Sequence, residues 1–176
     1  MKSGSFDQTL CPVARTLERV GDAWSLMILR DALHGLTRFD QFRRSLGVAP
    51  NILTDRLAKL VEVGALEKRR YSERPPRDEY VLTAMGQDFR PVLLAMMAFG
   101  NRHFAKEGVA SQLVDAATGK PADPVLVDAN TGRAIDAKAY RFAPGPAADE
   151  TVLTRMAFAN GRAQSWPRRP AIFVTG

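Results

Sequence analysis

An α+β fold, mostly helical, follows from three observations on this 176-residue chain. Leu53, Leu57, Leu60 and Val61 form an apolar stripe at helical spacing, with Asn51, Thr54, Asp55, Ala58 and Glu62 on the opposite face. A shorter helix precedes it across Gly47, with Phe39, Phe42 and Leu46 facing inward. A charged hairpin follows, its loop carrying Arg74, Pro75, Pro76 and Arg77. A helix with a polar outer face between a supporting helix and a basic hairpin makes a winged helix-turn-helix. A long dimerisation helix and a small strand-containing appendage complete the predicted architecture.

Each element has a local reason. Cys11 to Val20 reads as a helix, with Pro12 suited to its first turn, where the missing N–H would be unpaired anyway. Gly21 and Asp22 break it. Ala23 to Leu33 is a strongly apolar helix ended by His34 and Gly35, with Trp24, Met27, Ile28 and Leu29 expected in the core. Thr37 is placed to cap the supporting helix. The recognition helix begins near Ala49 or Pro50 and stops before Gly64. Ala65 to Tyr71 and Glu79 to Leu82 are the expected strands. Pro75-Pro76 stiffens the loop between them, so less entropy is lost when it orders against a phosphate backbone.

Thr83 is placed to cap a helix from Ala84 to about Glu107. Phe89, Val92, Leu93, Met96, Met97, Phe99 and Phe104 cover more than one of its faces. A homodimer would bury them, with this helix packed on its mate and on the first helix. The alternative is an intramolecular helix packed on the C-terminal segment.

Composition bounds the function. With 45% hydrophobic residues the chain can bury a core, and its net charge of +6 permits contact with an anionic polymer. Residues 38–80 carry ten basic against seven acidic side chains, so half of the excess lies in the helix-turn-helix and hairpin. One cysteine, Cys11, excludes an intramolecular disulfide. With no charged-then-apolar leader and no apolar run of about 18 residues, the expected compartment is the cytoplasm.

The chain shows no phosphate-binding glycine loop, nucleophile elbow or H-E-x-x-H motif, and its carboxylates form no recognisable pair. An enzyme is not expected, and neither is a cofactor. His34 and His103 lie far apart with no supporting ligand spacing, so no metal site is read.

Double-stranded DNA is the expected partner. Asn51 and Thr54 occupy the N-terminal half of the recognition helix, where Asn can bond adenine bidentately and Thr can meet a thymine methyl or a phosphate. Asp55 shares the face, as a base acceptor or a solvated carboxylate. Arg56 and Lys59 flank it and suit phosphates better than bases. Arg74 and Arg77 would place guanidinium in or beside the minor groove. Arg38 and Gln41, at the start of the supporting helix, are candidate phosphate contacts. Lys68, Arg69 and Arg70 alternate across a strand, so one is expected to pair with Glu67 or Glu79. Trp24, Phe42, Met27, Met96 and Met97 either line an effector pocket or pack as core. A winged helix that binds protein instead of DNA is the competing reading, and salt dependence separates the two.

Cys11-Pro12-Val13, Gly21-Asp22-x-Trp24, Phe39-x-x-Phe42, the Asn-Ile-Leu-Thr-Asp-Arg-Leu run at 51–57 and the Pro-Pro-Arg-x-Glu-Tyr-x-Leu-Thr run at 75–83 occur in that order. Over about residues 11–107 the chain thereby resembles the HxlR family of bacterial winged-helix transcriptional regulators, relatives of the MarR group. The resemblance implies a homodimer on a pseudo-palindromic operator, open to control by a small molecule or an oxidant. Some members with a cysteine at the place of Cys11 respond to oxidants or electrophiles, which makes Cys11 a candidate sensor. A buried inert thiol is the competing reading.

Residues 1–107 would then form the DNA-binding and dimerisation domain, and 108–176 the appendage. Longer members carry a C-terminal module with two cysteine knuckles, zinc-ribbon-like. Here Val114-Asp-Ala-Ala-Thr-Gly-Lys120 and Val127-Asp-Ala-Asn-Thr-Gly-Arg133 echo that layout without the cysteines, so two β-turns and no zinc are expected. The basic stretch Trp166-Pro167-Arg168-Arg169 is a further candidate for DNA contact.

Overall fold

The computed structural model describes residues 9–161. The stretch Trp166 to Arg169 lies outside them. The chain divides into two compact units, Thr16–Leu126 and the described residues of Met1–Arg15 with Val127–Gly176.

The element order is α1 (Pro12–Val20), α2 (Ala23–Leu33), α3 (Phe39–Leu46), α4 (Pro50–Glu62), β1 (Leu66–Glu73), β2 (Pro76–Leu82), α5 (Ala84–Asp88), α6 (Arg90–His103) and α7 (Glu150–Ala159). In Thr16–Leu126, α2, α3 and α4 pack around Ile28, Leu29, Phe42, Leu53, Leu57 and Leu60, all fully buried, with Leu66 of β1 beneath them. Removing each such side chain from water stabilises the fold by about 1.5–3 kcal/mol. The leucine stripe of α4 is buried as predicted, with Val61 half-buried at its edge. Gly47 closes α3 at φ 61°, a left-handed conformation that favours glycine and makes the tight turn into α4.

Several expectations shift. Trp24 is 39% exposed and Met27 half-buried, because α2 turns Ser25, Ile28, Leu29, Asp31 and Ala32 inward instead. Thr37 does not cap α3. The amide oxygen of Gln41 accepts the N–H groups of Thr37 and Arg38 at 3.0 and 2.9 Å, while the Thr37 carbonyl accepts Tyr80 N–H at 2.7 Å. The long helix expected from Ala84 is two helices that meet at Phe89. Pro91, in the first turn of α6, has no N–H to continue α5.

The wing is an antiparallel hairpin with register Leu66↔Leu82 to Glu73↔Pro76, interrupted by a bulge at Tyr71. Its strands run further than expected, so the turn holds only Arg74 and Pro75, and Arg77 lies within β2. At its base the Thr83 hydroxyl donates to the Gly64 carbonyl at 2.6 Å and accepts Gly86 N–H at 3.1 Å. A Cβ at Gly86 would stand 2.1 Å from the Ala65 carbonyl oxygen. Gly86→Ala is therefore expected to cost about 1–3 kcal/mol through forced backbone displacement. Urea denaturation measures it, and an unchanged midpoint would contradict this packing.

The two echoing turns are each closed by a single bridge, Val114↔Pro121 and Val127↔Ala134, where short strands were expected. Asp115 accepts the N–H groups of Ala117 and Thr118, and Asp128 accepts that of Asn130. Helix α7, capped by Asp149 accepting Val152 N–H at 2.8 Å, was not expected.

Candidate nucleic-acid interface

Helix α4 has two characters along its length. Its inner face is the leucine stripe, and Asn51, Thr54, Asp55, Ala58 and Glu62 are exposed on the other side. The Thr54 hydroxyl donates to the Pro50 carbonyl at 2.9 Å, which spends its proton and leaves the oxygen and methyl facing outward. The Asn51 side chain has no hydrogen-bond partner among the described residues, so its whole amide edge is available.

Arg56 and Lys59 are differently placed. Arg56 Nε lies 3.0 Å from Asp22 Oδ1, an ion pair without an aligned hydrogen bond. Lys59 Nζ donates to the Glu18 carbonyl at 3.0 Å and lies 4.0 Å from Asp22 Oδ2. Both side chains are two-thirds buried. The sequence reading missed Asp22, which caps α2 by accepting Ser25 N–H at 3.0 Å and holds the flank of α4 at the same time.

Partial burial alone would raise the Asp22 carboxyl. The Ser25 hydroxyl and N–H, with Arg56 and Lys59, outweigh it and hold the group below its ordinary 3.8. A depressed carboxyl stabilises the fold above its unfolded value and loses that contribution as pH falls through its folded value. Asp22→Asn keeps a good capping residue and removes the charge. The wild type is therefore expected to be the more stable at neutral pH, with the difference shrinking below pH 3.8. Urea midpoints across a pH series test this; a pH-independent difference would contradict it.

On the wing, Asp78 is shared by Lys68 at 2.9 Å and Arg70 at 2.6 Å, and Arg69 pairs with Glu67. The bonds from Lys68 and Arg70 hold Asp78 below the usual carboxylate value. Arg74 and Arg77 are exposed and make no ion pair among the described residues. They are the uncompensated cations of the hairpin. On α3, Arg43 is likewise exposed and unpaired, a cation the sequence reading did not single out, whereas Arg44 lies 3.8 Å from Asp40.

At the start of α3 the Arg38 guanidinium stacks 4.6 Å from the Tyr71 ring centroid, and its backbone bridges to Glu79. Tyr71 is the bulged residue, so the irregularity in β1 gives Arg38 its platform. Gln41 spends its carbonyl oxygen on the cap and keeps its NH2 group.

Cys11 is half-buried beside the first turn of α1. The N–H of Ala14 is the chief influence lowering its thiol below the ordinary 9.0, burial opposes it, and Val13 N–H and Arg155 add to the lowering. The pH profile of iodoacetamide alkylation is expected to show a midpoint below 9.0, moved upward by Arg155→Ala. A midpoint at or above 9.0 would contradict the geometry.

Of the residues considered for an effector pocket, Phe42 is core, and Trp24 is absent from the lining of a cavity of about 500 Å³ between α2 and α6. Met27, Met96 and Met97 do line it. Among the described residues no group of three or more His, Cys, Asp or Glu could hold a metal ion, and no helix is long and apolar enough to cross a membrane.

Residues 19–108 match the family model described as HxlR-like helix-turn-helix. The HTH-type transcriptional regulator Rv3095 of Mycobacterium tuberculosis is 39% identical over 135 residues, 76% of this chain and 85% of its own length. PA1374, a candidate transcription factor of Pseudomonas aeruginosa, is 51% identical with a TM-score of 0.59, over 82% of this chain and 99% of its own. PA1607, also a candidate transcription factor, is 38% identical with a TM-score of 0.71, over 81% and 100%. The redox regulator HypR in its oxidised form is 32% identical with a TM-score of 0.50, over 53% and 97%.

Proposed function

Because this chain belongs to the HxlR-like helix-turn-helix family of transcriptional regulators, which are not enzymes, we propose that it controls transcription as a homodimer on a pseudo-palindromic operator. The observation that carries the proposal is the division of labour on α4 and the wing: leucines buried inward, Asn51 and Thr54 open outward, and Arg74 and Arg77 uncompensated on the adjoining hairpin.

In this mechanism α4 enters the major groove. Asn51 and Thr54 meet base edges, while Arg74 and Arg77 take the flanking minor groove or its phosphates. Arg38, stacked on Tyr71, and Gln41 reach the backbone near the start of α3. Arg56 and Lys59 first hold α4 against Asp22 and offer the backbone only their remaining donors. Two copies place their helices one helical turn apart, about 34–36 Å.

The dimer reading is supported by apolar surface left open to solvent. No residue of α6 is fully buried, and Val92, Met96, Phe99 and Phe104 are exposed on or next to it; Leu17 is exposed on α1. Residues 1–107 supply DNA binding and dimerisation, and 108–176 are accessory. The cytoplasm is the site of action. A small molecule or an oxidant shifts operator affinity by changing how the two winged units are held. The oxidised HypR structure and the lowered thiol of Cys11 support the oxidant arm.

Fluorescence anisotropy tests the proposal with the DNA upstream of the protein's own gene, a scrambled duplex and a salt series. One dimer should bind the upstream duplex selectively, with affinity falling steeply as salt rises. Failure to bind either duplex at low salt would overturn DNA binding in favour of a protein-interaction role.

A further inference from the structure

We infer that Asp22 sets the discrimination between operator and random duplex by withholding Arg56 and Lys59 from phosphates. The inference rests on the DNA-binding reading and adds to it a specificity-determining residue that touches no base.

Helix α4 carries its base-reading residues and two cations on neighbouring faces. Asn51 and Thr54 are exposed, while Arg56 and Lys59 lie on the flank with about a third of each side chain open to solvent. Both are long side chains at the rim of the surface that α4 presents, where a duplex docked on Asn51 and Thr54 brings its phosphates.

The carboxylate that holds them is fixed from its own helix. Asp22 Oδ1 accepts Ser25 N–H at 3.0 Å, and Oδ2 accepts the Ser25 hydroxyl at 2.5 Å. Asp22 therefore keeps its place as the cap of α2 whether or not the cations lie beside it. The cations are the exchangeable partners. Arg56 Nε lies 3.0 Å from Asp22 Oδ1 without an aligned hydrogen bond, and Lys59 Nζ is 4.0 Å from Oδ2. Both are charge contacts without a directional bond to Asp22. A phosphate oxygen is an equivalent partner and has to compete with the carboxylate for the same side chains. The one directional bond of Lys59, to the Glu18 carbonyl at 3.0 Å, adds to the hold.

That competition weighs unequally on the two kinds of duplex. On the operator, Asn51 and Thr54 fix the register of α4 and base edges supply part of the affinity. On random sequence phosphates alone hold the protein, so each cation withheld removes a larger share of the binding. Asp22 thereby raises the ratio of the two affinities.

The test is fluorescence anisotropy of the full chain and its Asp22→Asn variant across a salt series. The probes are a duplex selected by the wild type from a random pool and a scrambled copy of it. Asparagine keeps the cap on α2 and removes the charge. The variant is expected to bind the scrambled duplex about tenfold or more tightly at low salt. Its logarithmic salt slope there should steepen by up to about four per dimer, two cations from each chain. Affinity for the selected duplex should rise less, so discrimination falls. Adding Arg56→Gln and Lys59→Gln to Asp22→Asn should return the slope to the wild-type value or below, because those two side chains carry the gain.

An unchanged slope on the scrambled duplex, or a steeper one that survives loss of both cations, would overturn the inference. So would a fall in affinity for the selected duplex alone, the result of a tie that only positions α4. Asp22→Ser, whose hydroxyl also caps a helix, takes the place of Asp22→Asn if that variant does not fold. Failure of the wild type to bind any duplex at low salt overturns the DNA-binding reading itself, an outcome distinct from wild-type binding with an unmoved slope.

Discussion

A homodimer carrying Thr54→Ala, Arg74→Ala and Arg77→Ala together is expected to bind its operator at least about a hundredfold more weakly, with its circular dichroism unchanged. Base contacts are worth about 1–3 kcal/mol each, and each 1.4 kcal/mol is about tenfold. All three residues are exposed, and the Thr54 hydroxyl bonds only to its own helix, so the fold loses little. The substitutions separate by mechanism. Thr54→Ala should relax discrimination between operator and scrambled duplex. The two arginine changes should weaken both duplexes alike and flatten the salt dependence. Two arginines per chain make four per dimer, so the logarithmic salt slope should fall by about four. Retained affinity in the triple variant would show that the binding surface lies elsewhere.

Phe42→Ala is expected to destabilise the winged unit by about 3–5 kcal/mol. Phe42 is fully buried in the cluster with Ile28, Leu29 and the α4 leucines. Deleting its ring leaves a void between α3 and its neighbours that the helices can close only partly. Domains of this size are stable by about 5–15 kcal/mol, so the loss is a large fraction of the total. Urea denaturation at neutral pH gives the number. A cost below about 1 kcal/mol would contradict the packing of α3 on this core.

The buried stripe and the polar outer face of α4 were legible in the sequence. The α4 stripe was visible because its outward positions are polar, so periodicity had a contrast to work with. Helix α2 offers little contrast. Its limits, Ala23 to Leu33, were predicted correctly, but Ala-Trp-Ser-Leu-Met-Ile-Leu is apolar nearly all round. Periodicity could not say that Ser25 turns inward while Trp24 stays exposed. The break between α5 and α6 had a signal that was passed over, since Pro91 cannot donate the bond a continuous helix requires. The hold of Asp22 on Arg56 and Lys59 had none. It joins residues more than thirty apart, and only the folding of α4 against the α1–α2 junction brings them together. The shortening of the wing turn to Arg74 and Pro75 likewise depends on strand register, which composition does not fix.

The ion pairs of the winged unit bear on how the protein finds its site on a chromosome. Between residues 38 and 80, Arg44, Arg56, Lys59, Lys68, Arg69 and Arg70 each lie beside a carboxylate. Six of the ten cationic side chains there are thus paired within the chain, so in the proposed DNA-binding mechanism the counterions released on an arbitrary duplex come chiefly from Arg38, Arg43, Arg74 and Arg77. Affinity for random sequence would then be limited to what those four arginines per chain supply. On the proposed reading, genomic occupancy would then be set by the quality of a few contacts at the operator, with little bound population held in reserve along the rest of the DNA.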